Sequence, residues 1–301
     1  MIQQRTRRWM LATLSTVILS TPAAAQITSL EDPLSPQAEA ALSEARAVAK
    51  EALDAYGDYR PDQPLFRQAT QLGRRAVNLA PENPETLRFL AELYGVTGFY
   101  GPAFSIWQRF VDAGGSLDAA ARAQVAKNGN QVGYARYNQG DLSGALSAYH
   151  TVTRLVPGNV RAQRWTGRVL LEQNRPKAAL SYWQRVHKQR PGDAGAAYFL
   201  TLTRAGVEYG LEAARAFYGG VSDYEAGRKG AAERQFSRAT ELNPGYAAAW
   251  GYLGRLAFEA GAFAEAETAY RRAGQLDPKN RTYRYFLAQA QIRRTQTQKT
   301  P

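Results

Sequence analysis

A repeat of 34 residues constrains the fold of this 301-residue chain more than any other feature of its sequence. Each copy places an alanine four residues before an aromatic residue, and most copies place a proline twelve residues after the alanine. The pairs are Ala103/Trp107, Ala145/Tyr149, Ala179/Trp183, Ala232/Phe236 and Ala266/Tyr270, and the prolines are Pro157, Pro191, Pro244 and Pro278. A fixed period of this size predicts a solenoid of helix-turn-helix units, because one unit cannot bury its own apolar face and must stack on its neighbours.

One copy, residues 247–280, resembles a tetratricopeptide repeat along its whole length. The matching residues are Trp250, Leu253, Gly254, Gly261, Ala266, Tyr270, Ala273 and Pro278. Further copies lie at 84–117, 126–159, 160–193 and 213–246, and a degenerate copy at 36–83. The pattern is broken where Ala257 replaces the usual tyrosine and where Gly115 replaces the proline. The resemblance implies an all-α fold, a tetratricopeptide-repeat α-α superhelix in the form of a right-handed solenoid over residues 36–295.

Two insertions interrupt the period. The first precedes residue 126, where the next helix should extend backwards with Ser116 or Asp118 as its N-cap. The second, residues 194–212, should form one unpaired helix or a degenerate half-repeat. At the C-terminus we expect a polar cap helix at 281–295, as terminal repeats require, and a disordered tail at 296–301. At the N-terminus, the serine and proline at positions 35 and 36 should start the first helix.

Residues 1–25 carry the features of a secretory signal peptide. These are a basic start at Arg5, Arg7 and Arg8, an apolar stretch from Trp9 to Leu19, and small residues from Ala23 to Ala25. We expect cleavage after Ala25, a flexible lead at 26–35, and an exported, soluble protein, with a bacterial periplasm as the expected location. The arginine pair leaves two export routes open, the general secretion pathway and the twin-arginine pathway.

The charge of the chain restricts its partners. Without residues 1–25 the chain has 35 Lys and Arg against 26 Asp and Glu, a net charge of +9. Since we expect export, we expect no nucleic acid, and acidic protein segments or anionic envelope polymers fit the charge better. From Arg154 to Arg190 there are nine basic residues and one acid, whereas residues 26–66 carry eight acids and three basic residues. This asymmetry permits head-to-tail self-association, or occupation of the groove by the acidic lead.

The resemblance also implies which residues line a binding groove. Repeat positions 2, 5, 9, 12 and 13 usually face the concave side of such an array. The candidates at these positions are Lys127, Asn130, Tyr134, Tyr137, Asn138, Arg161, Arg164 and Arg168. Arginine forks hold carboxylates in a bidentate way, so this face predicts capture of an acidic or C-terminal peptide segment, similar to the carboxylate clamps of some family members. The alternative is a solvated basic face with no specific ligand.

Catalysis finds little support in the sequence. The chain has no cysteine, and its two histidines, His150 and His187, lack metal-site spacing. It contains neither a nucleophile elbow nor a phosphate-binding loop. We therefore expect no enzyme, no metal and no cofactor, but a periplasmic scaffold or adaptor that binds a peptide segment of an envelope protein. The competing hypothesis is a basic groove for an anionic or peptidoglycan-derived polymer, with Tyr134, Tyr137 and Trp165 as a possible glycan-binding strip.

Overall fold

The computed structural model of the protein describes residues 34–57 and 63–299. The predicted signal peptide and most of the predicted lead lie outside the described residues, as do the last two residues of the predicted tail. The segment Leu34–Pro301 forms one compact unit. Every regular element among its described residues is an α-helix, which confirms the all-α prediction.

The described part of the chain contains fourteen helices. They are α1 Pro36–Tyr56, α2 Pro64–Leu79, α3 Pro84–Val96, α4 Tyr100–Asp112, α5 Ala119–Asn138, α6 Leu142–Leu155, α7 Val160–Glu172, α8 Pro176–Gln189, α9 Ala194–Tyr209, α10 Leu211–Glu225, α11 Lys229–Leu242, α12 Ala247–Glu259, α13 Phe263–Leu276 and α14 Arg281–Lys299. Most pack in pairs along the chain, and each pair contacts the next, as in an α-α solenoid.

Two helices fall outside the pairs. Helix α9 packs against both α8 and α10, and α14 packs against α13 at the C-terminal end of the described residues. Residues 194–212, where the sequence predicts an insertion, hold α9 and the start of α10. Gly210 separates the two helices with φ of 89°, a conformation that glycine adopts without steric cost.

The helix ends follow local sequence signals. Ser35 caps α1 by accepting a hydrogen bond from the Ala38 amide at 3.2 Å, and Gly57 ends this helix with φ of 70°. Of the two predicted caps of α5, Asp118 is the one observed, and it accepts from the Ala121 amide at 2.8 Å. These side chains satisfy amide donors that a helix cannot pair by itself.

The last helix is longer than the sequence predicted. Helix α14 continues to Lys299, past the predicted end at residue 295 and into the predicted disordered tail. No glycine or proline interrupts residues 295–299, and two threonine hydroxyls donate to carbonyls of the preceding turn, Thr295 to Gln291 at 2.9 Å and Thr297 to Arg293 at 3.0 Å. The polar composition of this segment therefore predicted disorder wrongly.

Glycine and an aromatic ring set the approach of the helices within four of the pairs. In α7–α8, a Cβ atom added to Gly167 would lie 2.6 Å from the indole nitrogen of Trp183, closer than real Cβ contacts. The same relation joins a glycine of the first helix to the aromatic residue of the second in the other three pairs. These contacts are Gly133 with Tyr149, Gly220 with Phe236, and Gly254 with Tyr270. The missing side chain is what admits each ring between its two helices.

Each of these rings also stacks on an aromatic residue of the next helix along the chain. The stacked pairs are Tyr149–Trp165 at 5.8 Å, Trp183–Phe199 at 4.5 Å, Phe236–Tyr252 at 4.7 Å and Tyr270–Phe286 at 5.5 Å between ring centroids. Interplanar angles within these pairs are 6° to 17°. Each of the four rings is thus held between a glycine of its own pair and a ring of the following helix.

The glycine–ring contact predicts opposite effects for two adjacent substitutions in α10. Gly220→Ala should lower the free energy of unfolding by about 1–3 kcal/mol, because the new methyl would meet the Phe236 ring at 2.7 Å. Gly219→Ala should leave it unchanged or raise it by up to about 1 kcal/mol, because its nearest neighbour is the Gln235 side chain at 3.7 Å and alanine favours helix. Urea unfolding of both variants measures the difference, and equal stabilities would contradict this role for Gly220.

Candidate functional site

The eight predicted groove residues lie on two helices, α5 and α7. Between them stands a cluster of aromatic rings centred on Trp165. Tyr134 and Tyr137 meet the indole edge to face, with centroids 5.5 Å and 4.9 Å away, and Tyr149 stacks on it. Tyr134 remains 41% exposed, so the edge of this cluster is open to solvent. The structure therefore places Tyr134 and Tyr137 of α5 beside Trp165 of α7.

A hydrogen-bonded triad closes one end of this cluster. The hydroxyl of Tyr137 donates to Glu172 Oε1 at 2.5 Å, and Nε of Arg168 donates to the same oxygen at 3.2 Å. The Arg168 guanidinium also lies 5.3 Å from the Trp165 ring centroid and 5.6 Å from that of Tyr137. The hydrogen bond to Glu172, together with burial, raises the pKa of Tyr137. Arg168 is thus already committed to a carboxylate of its own chain.

The other α5 candidates have different surroundings. Asn130 is only 5% exposed, and its amide nitrogen lies 3.4 Å from the Asn159 side-chain oxygen, which also accepts from the Ala162 amide at the start of α7. Lys127 lies over the ring of Tyr100 at 5.6 Å. Asn138 is exposed. Asn130 therefore packs between helices, while Lys127 and Asn138 face solvent.

The arginines of α7 line a cleft of about 990 Å³, a volume typical of ligand sites. Its walls are the exposed face of α7, the turn between α8 and α9, and the Trp183 and Phe199 rings. Arg161, Arg164 and Arg168 all belong to this lining, whereas none of the five α5 candidates does. We call this space the first cleft.

The position rule missed several residues of the first cleft because it considered only the first helix of each repeat. Arg190, Gly192 and Asp193 come from the turn that follows α8, and Phe199 from α9. A signal was present in the sequence: Arg190 directly precedes the repeat proline, Pro191, so the 34-residue frame places it at the start of the turn. The structure thus adds a fourth arginine to the predicted three.

Two of the four arginines already have carboxylate partners. Arg164 pairs with Asp193 at 2.5 Å, and Arg168 pairs with Glu172. Among the residues that the structure describes, Arg161 and Arg190 form no ion pair with a carboxylate within 4 Å, and both are exposed. Free guanidinium charge in the first cleft is therefore concentrated at Arg161 and Arg190.

Asp193 has two roles at this site. It caps α9 by accepting from the Ala196 amide at 3.0 Å, and it holds Arg164 through its other oxygen. The backbone hydrogen bond from Ala196, with the nearby charges of Arg164 and Arg190, lowers the pKa of this carboxyl group. Asp193 therefore stays ionised at neutral pH and neutralises part of the cleft.

The two histidines lie away from the first cleft. The His150 ring stacks on Tyr182, with Nε2 3.2 Å from the tyrosine hydroxyl, and burial followed by the charge of Arg175 lowers its pKa. His187 belongs to the last turn of α8. Within residues 34–57 and 63–299, no three His, Cys, Asp or Glu residues cluster in a way that could hold a metal ion. None of the helices in these ranges combines the length and apolar character that a membrane span needs.

Comparison with known protein families gives matches for two segments of the chain. Residues 133–194 and 220–281 each match the sequence profile of the tetratricopeptide repeat family. These matches support the family assignment made from the 34-residue pattern, and they include α7, which carries the arginines of the first cleft. No curated protein matches the chain.

Several solved structures are similar to the chain at low sequence identity. PilF of Pseudomonas aeruginosa is 15% identical, with 84% of this chain and 99% of that chain covered and a TM-score of 0.29. A tetratricopeptide repeat protein from Parabacteroides merdae is 11% identical, with 85% and 100% covered and a TM-score of 0.35. YrrB, described as a TPR protein with an unusual peptide-binding site, is 17% identical, with 80% and 97% covered and a TM-score of 0.20.

The two roles of Asp193 can be separated by substitution. Its folded-state pKa lies below the unfolded value, so its ionised form stabilises the fold above the unfolded pKa, and this stabilisation is lost as the pH falls through the folded pKa. Asp193→Asn keeps a capping oxygen but cannot ionise. Its urea midpoint should therefore fall less than that of the native protein between pH 7 and pH 3.

Asp193→Ala is the control, because it removes the cap as well as the charge. This variant should be less stable than Asp193→Asn already at pH 7. An acid dependence of Asp193→Asn equal to that of the native protein would contradict the lowered pKa of this carboxyl group.

Proposed function

We propose that the protein is a non-catalytic adaptor that holds an acidic or C-terminal segment of another envelope protein in the first cleft. The observation that carries this proposal is the pair Arg161 and Arg190. Both line a cleft of about 990 Å³, and neither has a carboxylate partner among the described residues. An extended peptide with a carboxylate would supply the partner that these two guanidinium groups lack.

The chemistry of the first cleft favours a carboxylate as its ligand. A guanidinium presents a planar fork of donors that matches the two oxygens of a carboxylate. Trp165, Trp183 and Phe199 form an apolar wall beside the arginines. Hydrogen bonds are stronger where water is partly excluded, so this wall should strengthen the charged contacts.

The aromatic cluster of α5 and α7 would continue the binding surface beyond the first cleft. Tyr134 is exposed and Tyr137 is half-buried beside Trp165. Tyrosine rings offer apolar area with little loss of conformational entropy, as at other protein interfaces. In this proposal the ligand's carboxylate lies at Arg161 and Arg190, and its preceding residues cross Trp165 towards Lys127 and Asn138 of α5, whereas Asn130 is buried between helices.

The proposed location rests on the sequence of residues 1–25. Their basic start, short apolar stretch and small-residue cleavage site support export, and a bacterial periplasm is the proposed compartment. An adaptor in that compartment would meet envelope proteins rather than nucleic acid. Neither a metal nor a cofactor is part of the proposed mechanism.

A second candidate function is binding of an anionic envelope polymer. The charge of residues 119–209 favours it, since this segment has 13 Lys and Arg against 4 Asp and Glu. Polymer binding would draw on the whole basic surface, so it should depend steeply on salt and only weakly on any single arginine. Peptide capture should depend mainly on the first cleft.

Arginine substitutions distinguish the two functions. With a fluorescein-labelled hexaglutamate peptide as probe, the double variant Arg161→Ala, Arg190→Ala should lose at least about tenfold in affinity, because each charge-assisted hydrogen bond is worth about 1.5–3 kcal/mol. Arg204→Ala on α9 removes an exposed arginine that does not line the cleft, and it should change the affinity less than about twofold. Equal losses in both variants would favour the polymer-binding surface.

Photo-crosslinking in living cells would identify the partner. We would place the photoreactive residue at Tyr134 and at Arg161, which are exposed, rather than at Arg164, which holds Asp193. Gln184 is exposed on α8, does not line the first cleft, and serves as control. A discrete adduct from the two groove positions alone is expected.

The mass of the adduct would separate the possible partners. If the adduct contains a second copy of the chain, or the chain's own residues 26–35, the result supports self-association through the acidic N-terminal segment and contradicts the adaptor function. No protein adduct at either groove position would count against peptide capture.

A further inference from the structure

Helices α10–α14 repeat helices α5–α9 at an offset of 87 residues. The two segments that match the family profile, 133–194 and 220–281, are themselves 87 residues apart. At this offset α5–α9 corresponds to α10–α14, with α9 in the place of α14. The sequence of residues 198–200 in α9, Tyr-Phe-Leu, recurs at 285–287 in α14. We call α5–α9 the first module and α10–α14 the second module.

Side-chain contacts repeat at the same offset. Trp183–Phe199 of the first module corresponds to Tyr270–Phe286 of the second, and both ring pairs are stacked. Phe199 and Phe286 each follow a tyrosine, Tyr198 and Tyr285, whose ring meets the phenylalanine ring edge to face. Both tyrosines are more than half exposed. The odd helix α9 is therefore the regular end of a module, in the same relation to its helix pairs as the C-terminal helix α14.

The hydrogen-bonded triad also has its counterpart. Tyr224, Arg255 and Glu259 correspond to Tyr137, Arg168 and Glu172. The tyrosine hydroxyl donates to Glu259 Oε1 at 2.5 Å, the arginine donates to the same oxygen at 3.1 Å, and the guanidinium lies 4.9 Å from the tyrosine ring centroid. The repeat of 87 residues thus includes this triad of side chains as well as the helices.

The second module contains a cleft in the equivalent place, and we call it the second cleft. It has a volume of about 490 Å³ and is lined by α12, α13 and α14. Its wall includes Tyr252, Tyr270 and Phe286 in the positions of Trp165, Trp183 and Phe199. Both clefts therefore belong to the same surface of their modules.

Most of the arginines of the first cleft have no arginine at the equivalent position of the second module. Three of the four arginines are replaced: Arg161 corresponds to Ala248, Arg164 to Gly251, and Arg190 to Asp277. Gly251 leaves room for the Tyr283 ring, since an added Cβ would lie 2.5 Å from that ring. The position of a guanidinium in the first cleft is thus taken by an aromatic side chain in the second.

The one arginine that remains is neutralised within the module. Arg255 pairs with Glu259, which also binds Lys229 at 2.7 Å. Burial acts to raise the pKa of Glu259, but hydrogen bonds from Lys229, Tyr224 and Arg255 outweigh it and lower the pKa to about 2. The charges of Arg255 and Glu259 are thus compensated within the module, and the remaining lining of the second cleft is uncharged.

We propose that the second cleft is a separate binding site for an uncharged peptide segment, which inserts an aromatic or large aliphatic side chain between Tyr252, Tyr283 and Phe286. The volume of the second cleft lies within the range of pockets that hold small ligands, and aromatic pairs favour ring insertion. This site does not depend on what the first cleft binds. The two clefts select different segments because Arg161 and Arg164 of the first cleft correspond to the uncharged Ala248 and Gly251 of the second.

Selection from a displayed library of random short peptides tests the proposal on the full chain. We expect two groups of binders, one acidic and one uncharged with an aromatic residue. Representative peptides of each group are then labelled with fluorescein, and their affinities are measured by anisotropy. Ala248→Arg and Ala248→Glu should each weaken the aromatic group by at least about tenfold. Arg161→Ala with Arg190→Ala should leave that group unchanged and weaken the acidic one.

Both variants at position 248 should fold, because Ala248 is half-buried on the cleft wall and its counterpart Arg161 is an exposed arginine at the same helix position. Native helix content and an unchanged urea midpoint are the check. Ala248→Arg should also gain affinity for acidic peptides, and Ala248→Glu should not, so charge and bulk are separated.

The outcomes for the two clefts are distinguishable. Selection of aromatic peptides alone would support the second cleft and count against the function proposed for the first. Selection of acidic peptides alone would overturn the second cleft. The proposal for the second cleft would also be overturned if aromatic peptides bound both Ala248 variants as tightly as the native protein, or if their binding required Arg161.

Discussion

The contact between a glycine of one helix and the aromatic ring of its partner determines how the repeats assemble. Because Gly167 has no side chain, the Trp183 ring fits against the backbone of α7 and also stacks on Phe199 of α9. One ring therefore fixes both the approach of two helices and the position of the next. Close packing of this kind tolerates little change in volume, so the orientation of α7 and of its exposed arginines follows from residues that never touch a ligand.

The residues that made the fold predictable are those engaged in this contact. Glycine, aromatic and proline recur at fixed spacing, so the sequence located most helix pairs, and Ser35 and Asp118 marked helix starts through a local hydrogen bond. Long-range relations were not predictable in this way. An aspartate at position 193, just before α9, is typical of a helix N-cap. The neighbouring sequence does not indicate that its second oxygen forms an ion pair with Arg164, 29 residues earlier. The arginine pattern therefore indicated a basic face, but only the structure separates the paired arginines from Arg161 and Arg190.

Helix α9 does not fit the 34-residue period from which the fold was predicted. Measured against 34 residues, α9 is an irregularity and residues 194–212 an insertion. Measured against 87 residues, α9 has a counterpart in α14, and Phe199 stacks on Trp183 as Phe286 stacks on Tyr270. The physical reason is that an array of helix pairs leaves one helix face uncovered, which an additional helix can cover. In the first module the additional helix also packs against α10, so the same element both ends one module and joins it to the next.

Comparison of the two modules separates the positions that keep their contacts in both from the positions that change charge. The glycine–ring contacts and the Tyr–Arg–Glu triad occur in both, and the triad carries its own charge balance, since Glu259 and Glu172 each pair with an arginine four residues earlier. Because that arginine is neutralised in both modules, it cannot distinguish one ligand from another. In the functions proposed for the two clefts, discrimination would come from the positions of Arg161, Arg164 and Arg190, which are cationic in the first module and neutral or acidic in the second. Arg161, Arg164 and Arg190 line the first cleft and are not part of the stacked ring pairs, so these positions can change charge without disturbing the rings that hold the helices together.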